Sequence, residues 1–65
     1  MLLHVGSHVR YKPEKVRAMV PDPTLRQHLM GWRGTVTGWI GRERVVVDFG
    51  EHGTAQTFLD HLEPG

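Results

Sequence analysis

Two neighbouring segments decide the fold: Gly34-Thr35-Val36-Thr37-Gly38-Trp39-Ile40 and Arg44-Val45-Val46-Val47-Asp48-Phe49. Both are rich in β-branched and aromatic residues, which favour extended strands. The short turn at residues 41–43 predicts that the two strands pair as an antiparallel hairpin. Because side chains alternate between the two faces of a strand, Val45, Val47 and Phe49 should form one apolar face.

Further strands are predicted on both sides of this hairpin. Residues 5–12 alternate between an apolar face and a basic face, and residues 54–58 follow a turn that contains two glycines. Residues 59–62 indicate a single helical or 3₁₀ turn. The remaining residues, 13–33, are expected to form a long excursion. The spacing of Val16, Met19 and Val20 leaves open one or two helical turns before Pro21. Thr24 is then expected to cap a short helix that stops at Gly31.

These elements predict one all-β domain over residues 1–65, a small antiparallel barrel with the excursion at 13–33 inserted after the first strand. On the second strand, Val36 and Ile40 are expected to face the core while Trp39 faces outwards. The residues expected in the core are Val5, Val9, Tyr11, Val36, Ile40, Val45, Val47, Phe49, Leu59 and Leu62.

Composition and charge narrow the class of protein. The chain has 65 residues and no cysteine, which excludes disulfides and thiolate metal sites. No apolar run is long enough to span a membrane, and residues 1–5 lack the basic and apolar regions of a signal peptide, so we expect a cytoplasmic location. Residues 1–34 hold six basic and two acidic side chains, whereas residues 35–65 hold two and five. Such an asymmetry favours steering of a charged partner or head-to-tail self-association.

The order of the predicted strands resembles an SH3-like barrel of the KOW or Tudor kind. The segments that carry the resemblance are Gly6-Ser7-His8-Val9-Arg10-Tyr11, Gly34-Thr35-Val36-Thr37-Gly38, Val45-Val46-Val47-Asp48-Phe49-Gly50 and Leu59-Asp60-His61-Leu62-Glu63-Pro64. The resemblance leaves out residues 13–30. It implies a fold more than a function, since this fold hosts many unrelated roles. Domains of this kind dock on RNA, RNA polymerase, ribosomes or the large subunit of an enzyme.

A narrower resemblance is to the type II dihydrofolate reductases of plasmids. It rests on Trp32-Arg33-Gly34-Thr35-Val36-Thr37-Gly38-Trp39-Ile40 and Glu51-His52-Gly53-Thr54-Ala55-Gln56-Thr57-Phe58. Those enzymes are SH3-like barrels that form a homotetramer around one pore, which holds folate and NADPH. The resemblance places Gln56, Thr57 and Phe58 in the pore, where the family has glutamine, isoleucine and tyrosine. It places Tyr11 at the family's key lysine, with Lys12 one position later.

Aromatic side chains near the strand ends are candidates for an interface. Outward-facing Trp39 and Phe58, with Gln56 on the same face as Phe58, would anchor an oligomer or a protein partner. The alternatives are that the excursion covers Trp39 and that Phe58 belongs to the core. Trp32 is expected either at a partner interface or as an apolar plug at the end of the barrel.

A second candidate surface is basic. Its cations would contact the phosphates of RNA or DNA, or simply form a solvated face. These residues are Arg10, Lys12, Lys15 and Arg17. His4 and His8 share a strand face, but no third ligand lies near them in sequence, so we expect no metal site. No serine or cysteine nucleophile is paired with a histidine, so we expect no catalytic triad.

The sequence therefore predicts a non-enzymatic interaction module without a cofactor, which self-associates or docks on a larger protein, such as one that handles nucleic acid. One alternative is a homotetrameric reductase of the type II kind, with NADPH in a central pore. A second alternative is an RNA- or DNA-binding domain of the KOW kind.

Overall fold

The computed structural model describes residues 3–65. Met1 and Leu2 lie outside the described residues. They belong to residues 1–5, where the sequence predicts no signal peptide. Residues 3–65 form strands β1 (His8–Tyr11), β2 (Gly34–Ile40), β3 (Arg44–Asp48), β4 (Thr54–Phe58) and β5 (Leu62–Pro64), helices α1 (Pro13–Met19) and α2 (Pro23–Gly31), and 3₁₀ turns at Gly50–His52 and Leu59–His61.

The strands form one five-stranded antiparallel sheet in the order β4-β3-β2-β1-β5. The predicted antiparallel sheet is therefore confirmed, and β4 and β5 are its two edges. The predicted 3₁₀ turn after β4 is also confirmed. Strand β5 was not predicted, because residues 62–64 are few and include a proline.

The first strand is shorter than predicted and begins at His8. Gly6 has a φ of 96°, and the Ser7 amide donates to the His4 carbonyl at 2.9 Å, so residues 4–7 form a turn. Val5 lies in this turn and is 58% exposed, so its predicted place in the core is wrong.

The core lies on one face of the sheet. Its buried residues are Leu3, Val9, Val36, Val45, Val47, Phe49 and Leu62, with Tyr11, Trp32, Ala55 and Leu59 packed against them. This agrees with the alternation predicted for β3. Ile40 is only half-buried, and it pairs with exposed Arg44 rather than with a core residue.

A bulge in β2 explains the difference at Ile40 and changes the direction of Trp39. The register passes from Val36↔Val47 to Gly38↔Val46, so one residue of β2 is unpaired. Directly paired residues of antiparallel strands share a face, and Trp39 pairs with buried Val45. Trp39 therefore lies on the same face as Val45, and the prediction that it lies on the opposite face is wrong. Its side chain nevertheless remains 42% exposed.

The excursion holds two helices instead of the one expected. Each begins with a proline, which fits the first turn because the missing N–H has no partner there. The cap of α2 is Asp22, whose carboxylate accepts from the Thr24 amide at 2.9 Å, so the prediction of Thr24 as the cap is wrong. Within residues 3–65, no helix has the length and apolar character needed to cross a lipid bilayer.

Candidate interaction surface

The hydrogen bonds at the two ends of the β3–β4 ladder show which backbone groups of β4 bond to β3 and which point away from the sheet. The Leu59 amide donates to the Glu43 carbonyl at 2.7 Å, and the Phe49 amide donates to the Gly53 carbonyl at 2.9 Å. Hydrogen-bonded and non-hydrogen-bonded pairs alternate along an antiparallel ladder. The odd-numbered residues of β4 therefore direct their N–H and C=O groups towards β3.

The even-numbered residues of β4 direct the same groups away from the sheet. They are Thr54, Gln56 and Phe58, and all three are exposed. The Phe58 carbonyl is used by the 3₁₀ turn at Leu59–His61, for which Phe58 is the N-cap. Within residues 3–65, the outward groups of Thr54 and Gln56 and the Phe58 amide pair with neither β3 nor a turn or loop residue. The strand contains neither proline nor a charged residue, the two common protections of an edge. It is therefore an open edge that can accept another strand.

A groove of about 350 Å³ lies beside this edge. One wall is formed by β4. The other is formed by α1, the residue directly after it and α2, through the apolar side chains of Val16, Met19, Val20 and Leu29. Val16 is buried, whereas Met19 is 61% exposed. None of the described residues that line the groove carries a carboxylate. The groove is thus an apolar channel between a strand edge and a helix pair.

Phe58 stands at one end of this groove. Its ring is 47% exposed and meets the ring of His61 edge-on, with 5.4 Å between centroids. It also borders a broader depression of about 730 Å³, whose lining combines charged residues such as Arg42 and Asp60 with apolar ones such as Leu59. An exposed aromatic between two concave surfaces has the character of a binding anchor. The predicted outward orientation of Phe58 and Gln56 is confirmed.

A small charged cluster lies next to Phe58. Lys15 Nζ lies 3.0 Å from Asp60 Oδ2, and Lys12 Nζ lies 3.9 Å from Asp60 Oδ1. The hydrogen bond from Lys15, then the charges of Lys15 and Lys12, lower the pKa of Asp60 below its ordinary value of 3.8. Two ammonium groups share one carboxylate here, so the cluster keeps a net positive charge.

Arg10 on β1 faces a carboxylate of the neighbouring edge strand. Its Nε and Nη2 atoms lie 2.7 Å and 2.6 Å from Glu63 Oε2. Of the four cations predicted to contact nucleic acid, Arg10, Lys12 and Lys15 thus pair with acidic residues, whereas Arg17 pairs with no described carboxylate. The basic surface is therefore partly neutralised within the domain.

The remaining aromatic candidates lie closer to the core. Trp32 is half-buried, with its ring 5.4 Å from that of Phe49 and stacked at 4.2 Å on that of His52. Tyr11 also stacks on Phe49, with 5.3 Å between the ring centroids. These contacts have the geometry of the plug considered for Trp32. They leave Phe58 and Trp39 as the exposed aromatic side chains of residues 3–65.

The residues suggested by the reductase resemblance are only partly brought together. Tyr11, Gln56, Thr57 and Phe58 all border the groove. Thr57 is buried, however, and Tyr11 is occupied by its stacking on Phe49. Lys12 lies outside the groove and faces Asp60. Gln56 and Phe58 are thus the members of this set that offer exposed side chains.

No family model matches the chain, and no curated protein or solved structure matches it either.

The helical wall of the groove was not predicted from the sequence. The spacing of Val16, Met19 and Val20 indicates an apolar helical stripe, but it does not indicate which strand the stripe faces. Asp60 was also missed, because its two lysine partners are distant in sequence.

Proposed function

We propose that this protein is a non-enzymatic interaction module that binds another protein chain through the surface around Phe58. We define this surface, the β4 surface, as Gln56, Phe58 and the groove residues Met19 and Leu29. The observation that carries the proposal is the exposed ring of Phe58 on an edge strand whose outward backbone groups at Thr54 and Gln56 have no partner within residues 3–65. Exposed aromatics in concave surroundings supply much of the binding energy of protein interfaces.

The fold that accompanies this proposal is an SH3-like barrel. Its support is the strand order, the pairing of the last strand with the first, and the 3₁₀ turn that connects β4 to β5. The Lys12 amide donates to the His61 carbonyl at 2.8 Å, which draws this turn towards the end of β1. A barrel of this kind leaves the β4 surface on its outside.

The proposal is tested with Phe58→Ser, and with Leu25→Ser as the matched control. Leu25 is also exposed, at 46%, but it lies on α2 and does not line the groove. The tagged chain is used to capture proteins from the cells that make it, and self-association is measured by analytical ultracentrifugation. We expect Phe58→Ser to weaken the association by about tenfold or more, the effect of losing a binding hot spot.

Leu25→Ser should leave the same association unchanged. Circular dichroism and thermal unfolding of both variants exclude a loss of fold. The proposal is wrong if the wild-type chain is monomeric and captures no protein that Phe58→Ser fails to capture.

A further inference from the structure

We propose that the β4 edge binds an extended segment of a different protein. The segment adds to the sheet as a further strand, places alternate apolar side chains in the groove, and carries an acidic residue at the end next to Phe58. This inference rests on the proposed function and names the chemistry of the partner.

The backbone argument sets the mode of binding. Thr54 and Gln56 each present one donor and one acceptor in a row along the edge, and Phe58 adds its N–H. The Phe58 carbonyl belongs to the following 3₁₀ turn, so the added strand ends there. An added strand satisfies these groups with main-chain hydrogen bonds, and alternate side chains then determine specificity. The other edge is closed to this mode, because β5 has three residues and ends in Pro64, which has no N–H.

The groove argues for an extended segment over a second copy of this chain. The space beside β4 is bounded on its far side by Met19, Val20 and Leu29, so it is open to a strand with apolar side chains. If two copies paired through β4, each would offer the strand Thr54–Phe58, which has one large apolar side chain, Phe58, and no acidic residue. Such a strand leaves most of the apolar wall without a partner and offers no carboxylate to Lys15.

Charge complementarity sets the acidic end of the segment. The ionisable side chains that line the groove, apart from Tyr11, are Lys15 and His61, and both lie near Phe58. Lys15 and Lys12 share a single carboxylate, so a positive charge remains for a partner. An aspartate or glutamate at that end would gain a charge-assisted contact, and like charges would be repelled.

The experiment uses a displayed library of short random peptides selected on the whole chain. A parallel selection uses Gln56→Pro, which removes one outward N–H but no bond to β3. We expect the enriched sequences to alternate apolar and polar residues and to carry an acid at one end. Enrichment that persists on Gln56→Pro, or enriched sequences without the alternation, would overturn the inference.

The best peptide is then measured by fluorescence polarisation against matched forms of the probe and the chain. We expect N-methylation of its edge-facing amides to weaken binding about tenfold, since each loses a main-chain donor. We expect lysine in place of its acidic residue to weaken binding several-fold at low salt and less at high salt. On the chain, Leu29→Ala should weaken binding while Leu25→Ala should not. Because Gln56→Pro carries a risk of misfolding, Thr54→Pro serves as the second edge variant.

The outcomes separate this inference from the proposed function. If no peptide is enriched but a Phe58-dependent association persists, the extended segment is wrong and the interaction module stands. If the chain dimerises, and the dimer is lost in the edge variants but unaffected by peptide, the occupant of the edge is a second copy and the inference is overturned. If neither peptide binding nor a Phe58-dependent association is found, both proposals are wrong.

Discussion

The two edges of the sheet differ in what their strands are used for. Strand β5 is short, buries Leu62 completely, holds Glu63 against Arg10 and ends in Pro64. Strand β4 has five residues, with no proline and no charged side chain. Its Phe58 side chain points outwards and is about half exposed. The residues of the β5 edge therefore serve mainly to stabilise the domain. Strand β4 is left as an edge that natural proteins normally cover or protect, which is why we place the binding surface there.

The largest expected effect of a substitution is on the β5 edge. Leu62 has no exposed surface and packs in the core, so Leu62→Ala should lower the free energy of unfolding by about 2–5 kcal/mol. In a domain of this size that loss is comparable with the whole stability. Urea unfolding followed by circular dichroism measures it, with Leu62→Val as the milder change.

The matched change on the β4 edge is Phe58→Ser, whose effect on stability should be below about 1 kcal/mol because the ring is half exposed. If the two variants lose similar stability, the claim that β5 stabilises the domain while β4 is left for binding is wrong.

A smaller effect is expected at Gly34 on β2, which pairs with Val9 on the β5 side of the sheet. A Cβ at this position would overlap Val47 and lie 2.8 Å from Phe49 Cδ1. Gly34→Ala should therefore destabilise the domain by about 1–3 kcal/mol.

The control is Gly38→Ala in the same strand, because a Cβ at Gly38 has no heavy atom within 4 Å. Chemical unfolding of both variants decides the point. Equal losses would mean that close packing against Phe49 is not what requires glycine at residue 34.

The sequence predicts the middle of the sheet better than its edges, for physical reasons. The alternation of Val45, Val47 and Phe49 is strong because these residues are buried on one face only. Strand β5 carries no such pattern, since the pairing of Tyr11 with Leu62 and of Arg10 with Glu63 supplies its stability. Long-range partners of this kind leave no local signal.

The direction of Trp39 shows a second limit. A bulge shifts the alternation by one residue. Gly38, a glycine inside a strand, is a local signal for a bulge, but it does not fix which residue is left unpaired. Of the candidate site, Gln56 and Phe58 were predictable from the alternation along β4. The helical wall opposite them was not, because periodicity identifies an apolar stripe without identifying its partner.

The smallest expected effect concerns Asp60, which lies in the turn that connects the two edges. Lys15 and Lys12 lower its pKa below 3.8, so its ionised form is favoured in the folded state. The stability it contributes is present above the ordinary pKa of an aspartate and is lost as the pH falls through the lowered value. Asp60→Asn should therefore lower the melting temperature slightly at neutral pH, and the difference from wild type should disappear in acid.

Thermal unfolding across this pH range measures the effect, and Glu51→Gln serves as the control because Glu51 is exposed and pairs with no cation among residues 3–65. Asp60→Asn also removes the carboxylate that Lys12 and Lys15 share. The β4 edge should then bind an acidic segment more tightly, even though the domain itself is slightly less stable. A lower melting temperature together with tighter binding would show that Asp60 affects both the stability of the domain and binding at the β4 edge. A loss of both would mean that Asp60 acts only on the fold.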